Sequence, residues 1–119
     1  MTISDERFSK REHLLKSKEF SKVYKKGIVG RAPGIVLYCL PNGLSHNRLG
    51  FSIGSKNIKR ATSRNRIRRL FREVYRRIKG KLNNGFDIVM VVKKDLHESL
   101  TYESAETIFH KLAKDTRLK

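Results

Sequence analysis

The chain has 119 residues, with 28 Lys or Arg against 11 Asp or Glu, a formal net charge of +17. That length predicts one domain, and no apolar run approaches the ~18 residues that a bilayer-spanning helix needs. So large a charge on a small domain repels itself unless a polyanion takes it up. Nucleic acid is the leading candidate, ahead of an anionic membrane surface.

Met1 to Lys10 carries Asp5 and Glu6 and no apolar stretch, so it does not read as a secretory signal. Residues 1–16 are polar and show no sustained period, which predicts a loose N-terminal arm. Ser17 fits an N-cap. Phe20, Val23 and Tyr24 after it share one helix face. Gly27 fits the left-handed position that ends a helix. Gly30-Arg31-Ala32-Pro33-Gly34 reads as a turn, and Ile35 to Leu40 as a strand of β-formers. Pro41-Asn42-Gly43 ends that strand.

A second strand, Arg48 to Gly54, alternates Leu49, Phe51 and Ile53 with Gly50, Ser52 and Gly54. Bare positions of this kind let another backbone or a ligand come close. Arg60 to Lys79 follows as a long amphipathic helix. Ile67, Leu70, Phe71, Val74, Tyr75 and Ile78 form its apolar stripe, and Asn65, Arg68, Arg69, Arg72 and Arg76 lie opposite. Lys81 to Gly85 is a loop. Phe86 to Val92 is continuously apolar after Asp87, the pattern of a strand buried on both faces. Thr101 caps a last helix, whose buried side is Ala105, Ile108, Phe109, Leu112 and Ala113. The expected order is α-β-β-α-β-α in one α+β layer sandwich. The domain spans 17–115, and 116–119 form a tail. The strand–helix–strand unit around the basic helix is parallel if its two strands share a sheet.

The charge is concentrated. Lys56 to Lys81 holds twelve Lys or Arg and one acid, Glu73. A helix face built only for solubility mixes signs, so this segment points to a binding surface. No catalytic constellation accompanies it. His13, His46, His97 and His110 show no metal-ligand spacing, and the acids are scattered. Cys39 is the single cysteine and sits in an apolar strand. It reads as a small buried hydrophobe, excludes an intramolecular disulfide framework and fits a reducing compartment, so a cytoplasmic protein is expected.

Within the basic segment, Lys56, Lys59 and Arg60 lead into Arg64-Asn65-Arg66-x-Arg68-Arg69-x-x-Arg72. Arg presents a planar, permanently charged fork suited to phosphate oxygens. Asn65, in the centre of the row, offers an amide to a base edge or a 2′-hydroxyl. Phe20, Tyr24 and Tyr38 could meet across a sheet face and stack bases without regard to sequence. Each of the three could instead be core. Lys93 and Lys94 at a strand end could hold phosphates.

Arg64-Asn65-Arg66, with Lys59-Arg60 before it and Arg68-Arg69-x-x-Arg72-Glu73 after it, resembles the "RNR" motif of the bacterial ribonuclease P protein family. Phe20-x-x-Val23-Tyr24-x-x-Gly27, Val36-Leu37-Tyr38, Leu49 to Gly54 and Asp87 to Lys93 resemble its other segments. The likeness covers about residues 13–115. It departs at Ser55, where many members carry Lys. The resemblance implies a small-ribosomal-protein type of α/β sandwich with a left-handed crossover through the basic helix. It implies a non-catalytic, monomeric subunit that docks on a catalytic RNA through the motif helix. The cleft of Phe20, Tyr24, Tyr38, Lys93 and Lys94 would hold the 5′ leader of precursor tRNA. The ribonucleoprotein would cleave that leader with magnesium bound mainly by RNA and none by the protein alone. The rival is a ribosomal-type structural RNA binder.

Overall fold

The computed structural model describes residues 12, 13, 16–93 and 100–119. In chain order the elements are α1 (Ser17–Lys26), β1 (Ile28–Ala32), β2 (Ile35–Pro41), β3 (Arg48–Ile53), α2 (Ala61–Ile78), β4 (Phe86–Val92) and α3 (Tyr102–Asp115). The strands form one sheet in the order β1-β2-β4-β3. The α+β sandwich expected from the sequence is present, with one strand more.

That strand is β1, which replaces the first half of the expected turn. Ile28↔Cys39 through Ala32↔Ile35 pair antiparallel, leaving Pro33-Gly34 as a two-residue hairpin connection with Gly34 at φ 79°. Gly30 and Arg31 give the segment weak β-propensity, so strand pairing rather than local preference makes it. Gly30 has a packing reason. A Cβ there would stand 3.0 Å from the Thr116 methyl and 3.3 Å from the Leu112 carbonyl, so glycine lets the end of α3 lie close on β1 without displacing either group.

Two helix-end expectations are corrected. The cap of α1 is Lys16, whose backbone N–H donates to Glu19 Oε1 at 3.1 Å, and Ser17 is the first helical residue. Gly27 is extended, at φ −73° and ψ 155°, not left-handed. Its glycine requirement is again close approach, since a Cβ would lie 2.6 Å from the Val23 carbonyl oxygen. Thr101 caps α3 as expected, its hydroxyl accepting from the Ser104 N–H at 3.2 Å.

β4 is an inner strand, antiparallel to β2 and parallel to β3, as its unbroken apolar run predicts. Its side chains divide between two faces. Ile88, Met90 and Val92 join Ile35, Leu37, Leu49 and Ile53 beneath α2 and α3 in the main core. Val89 points the other way, to Val23 of α1, with Phe20, Tyr38, Leu40 and Val91 packed around them. The basic helix and α1 therefore lie on opposite faces of the sheet.

Described residues outside the expected 17–115 span pack more closely than the sequence suggests. Glu12 is buried, accepts from the Tyr75 hydroxyl at 3.2 Å and pairs with Lys79 at 3.0 Å. His13 bridges to Leu49 beside β3. At the other end, Thr116 and Leu118 are fully buried and Lys119 N–H donates to the Ala113 carbonyl. Glu12, His13, Thr116, Leu118 and Lys119 all make contacts with the body of the fold. No described helix is long and apolar enough to cross a membrane.

Candidate nucleic-acid interface

The sequence of α2 sorts its side chains by angle, and the fold uses that sorting. Ile67, Phe71, Val74, Tyr75 and Ile78 are buried against the sheet and α3. The opposite side forms a surface depression lined by Asn65, Arg68, Arg69, Arg72, Glu73 and Arg76. Arg76 belongs to this face although the site residues expected from the sequence stop at Arg72; its helical angle beside Asn65 and Arg69 was the signal.

Each cation has its own surroundings. Arg69 is exposed. Arg68 donates to Asn65 Oδ1 at 3.1 Å, which occupies that carbonyl and leaves the exposed amide with N–H donors to offer. Arg72 is half-buried and lies over the Phe51 ring, 5.5 Å from its centroid. Partial burial, with Arg68 nearby, lowers the Arg72 pKa below the ordinary guanidinium value. A phosphate there would relieve that penalty, because an opposite charge favours the ionised form.

Two motif arginines have structural partners. Arg64 Nη1 donates to the carbonyls of Ile58 and Lys59 at 2.8 and 2.9 Å. It thereby braces the segment entering the helix. That segment turns on Gly54, whose carbonyl accepts from the N–H groups of Asn57 and Ile58, and is anchored by buried Ile58. Lys56, Lys59 and Arg60 are all exposed on it. Arg66 donates to the Leu100 carbonyl at 2.7 Å and links α2 to the approach to α3. Both roles were missed in the sequence because the acceptors are backbone carbonyls, one of them 34 positions away.

On the other sheet face the three aromatics do come together. Tyr24 meets Tyr38 edge-on with centroids 5.1 Å apart, and Phe20 lies 6.4 Å from Tyr24. Tyr24 is 39% exposed, while Phe20 and Tyr38 are half-buried. The other flank of α1 is pinned. Glu19 pairs with Arg48, which also forms a two-pronged pair with Asp87 at 2.8 and 2.7 Å. Asp87, at the start of β4, is buried and anchors, through Arg48 and Glu19, the helix that carries the aromatics. Lys93 is exposed at the end of β4, and its N–H donates to the Gly34 carbonyl. By strand alternation it shares a face with Val89 and Val91, the face of α1. Lys94 lies outside the described residues.

Cys39 is buried and donates to the Thr116 hydroxyl at 3.4 Å; burial pushes its thiol up to about 12. It is an inert core residue, as the sequence suggests.

These features define a class: a single-domain α+β protein with one cationic helix and an aromatic cluster on the opposite side of its sheet. The comparisons with known proteins are specific. The family model for ribonuclease P matches residues 8–117. A ribonuclease P protein component from Caldanaerobacter subterraneus subsp. tengcongensis is 39% identical over 105 residues, 88% of this chain and 89% of the relative. The RNase P protein structure from Staphylococcus aureus superposes with a TM-score of 0.80 at 25% identity, covering 90% of this chain and 96% of that one. The RNase P protein from Thermotoga maritima gives 0.74 at 32% identity, with the same coverage. The chain belongs to the ribonuclease P protein family, the protein components of a ribonucleoprotein endoribonuclease.

Proposed function

We propose that this chain docks on a catalytic RNA through α2 and the 54–60 segment, and holds the 5′ leader of precursor tRNA at Phe20, Tyr24, Tyr38 and Lys93. The observation that carries the reading is the division of surfaces. The arginine face of α2 is backed by buried core residues of the same helix. The aromatic cluster lies across the sheet from it, so one protein can hold two RNA segments at once. Arginine forks suit a fixed, folded backbone. Aromatic faces suit a strand of varied sequence.

Among the described residues, no three His, Cys, Asp or Glu side chains gather into a metal site. Glu12, Glu19, Glu73 and Asp87 are instead paired with Lys79, Arg48 and Arg76. These residues do not fit a magnesium centre. In the proposed holoenzyme, magnesium held by RNA phosphates would supply the activated water. The protein's role is electrostatic and positional.

The test is reconstitution with a ribonuclease P RNA. The protein should lower the magnesium concentration needed to cleave precursor tRNA, and RNA-free protein should cleave nothing. Cleavage that tracks the protein through purification without RNA would refute the assignment of chemistry to the RNA.

A further inference from the structure

The outer surface of α1 takes no part in the site described above. Around the helix from Tyr24, the next positions are Ser17 and Ser21, then Lys25, Lys18 and Lys22, all exposed. With Lys26, these residues line a continuous shallow groove along the helix. Lys18 and Lys25 are two helical turns apart, about 10 Å along the axis. Lys18 and Lys22, and Lys22 and Lys26, are i,i+4 pairs of like charge, an arrangement that destabilises a helix. The helix has one acid, Glu19, and it faces the sheet to pair with Arg48. Among the described residues, the ion pairs include no partner for these four lysines.

Uncompensated like charge beside a row of hydroxyls matches a phosphate backbone. Its position selects which one. Ser21, in the groove, lies one helical turn before the exposed Tyr24, on the helix that packs against the face of the sheet away from α2. A strand whose bases stack at Tyr24 and Tyr38 would leave the cluster over Ser21 and Ser17, with its phosphates meeting Lys18 and Lys25. Lysine is a mobile point charge that tolerates a flexible, exchanging strand.

We propose that the Ser17–Ser21–Lys18–Lys25 face of α1 is a phosphate rail for the part of a single-stranded RNA leader that extends beyond the aromatic cluster. This rests on the leader-binding reading above and adds a length dependence to it. Longer leaders gain affinity from the rail, and the gain is electrostatic.

The experiment uses the holoenzyme reconstituted with a ribonuclease P RNA. Affinity is measured for mature tRNA and for precursors with a graded series of leader lengths, across a salt titration. The variant is K18A/K25A, which removes charge from exposed positions and installs the best helix former, so folding is preserved. In the unaltered protein, affinity should rise with the first leader nucleotides and again as the leader lengthens. In the variant the first rise should remain and the second should vanish. The salt slope for the longest leader should fall by roughly 1.4, about 0.7 for each single-strand phosphate contact. If the variant keeps the full gain from lengthening, the rail is wrong and the aromatic cleft stands. If unaltered holoenzyme binds precursor and mature tRNA equally, the leader reading and the rail fall together. Weaker binding of the variant to the catalytic RNA itself, with the leader gain intact, would assign the lysines to that RNA and overturn the proposal.

Discussion

The two helices that carry the candidate surfaces are built on opposite plans. In α2 the charges are arginines, the helix runs 18 residues, and one helix face carries the arginine row. In α1 the charges are lysines, the helix runs 10 residues, and its aromatic site exists only because β2 brings Tyr38 to Tyr24. The difference matches two kinds of RNA contact. A fixed dock gains from preorganised forks whose orientation is set by a packed helix. A site for a substrate that must leave gains from stacking and point charges with little demand on sequence.

The largest expected effect tests the dock. Replacing Arg68, Arg69 and Arg72 together with Ala should weaken binding to the catalytic RNA on the order of 10³-fold, taking each charged hydrogen bond at ~1.5 kcal/mol or more. The salt slope should fall by roughly two to three units. Binding titrations at several salt concentrations read both. An equal loss of catalytic-RNA affinity when Lys18 and Lys25 are replaced would erase the distinction between the helices.

The second effect tests the aromatic side. Tyr38→Ala should cost ~1–3 kcal/mol of precursor affinity and leave mature tRNA binding unchanged. Tyr38→Phe should retain most of the affinity, because the ring supplies the stacking. Tyr38 is half-buried beside Val89, so thermal unfolding must be measured on the same protein. Lower stability with precursor discrimination intact would make Tyr38 a packing residue.

What the sequence revealed follows the same contrast. The stripe and the arginine row of α2 are set by 3.6-residue periodicity, so both were legible. So was the doubly buried β4, because a continuous apolar run has few other resting places. The aromatics were legible as candidates, but their meeting required the β2–β4 register that sets Tyr38 opposite Val89. β1 was not legible, since Gly30 and Arg31 carry no strand signal and the strand exists through pairing and the contact with α3. The capture of Glu12 by Tyr75 and Lys79 was hidden for a related reason. Its partners lie 63 and 67 positions away, beyond any local pattern.

Arg64 offers a sharper, smaller test within the dock. Its guanidinium braces the Ile58 and Lys59 carbonyls, whereas that of Arg69 faces outward. Arg64→Ala should lower stability by ~1–2 kcal/mol through the lost charged hydrogen bonds. It should weaken RNA binding about tenfold by loosening Lys56, Lys59 and Arg60, with the salt slope nearly unchanged. Arg69→Ala should do the reverse, reducing the slope by about one unit with stability intact. If Arg64→Ala reduces the slope as Arg69→Ala does, the Arg64 side chain leaves its carbonyls to meet phosphate.

The smallest effect concerns Glu73, the one acid on α2. Its carboxylate accepts from Arg76 at 2.9 and 2.7 Å and from Arg77 at 3.0 Å. The hydrogen bonds from Arg76, joined by that from Arg77, pull its pKa down to about 2 from an ordinary 4.5. A carboxyl depressed in the folded state stabilises the fold above its unfolded value, and that contribution is lost as pH falls through the folded one. Glu73→Gln should therefore flatten the stability–pH profile between about 4.5 and 2. At neutral pH the loss should be only ~0–1 kcal/mol, because the pair is solvent-screened. The same substitution removes the acid that holds Arg76 and Arg77, so RNA affinity should rise slightly and the salt slope should steepen by no more than about one unit. The pair thus sets stability against binding at one position. Chemical unfolding across the acid range reads the first, and a salt titration with the catalytic RNA reads the second. A fall in RNA affinity on Glu73→Gln would mean that the carboxylate is needed to aim Arg76 along the row, making Glu73 part of the dock.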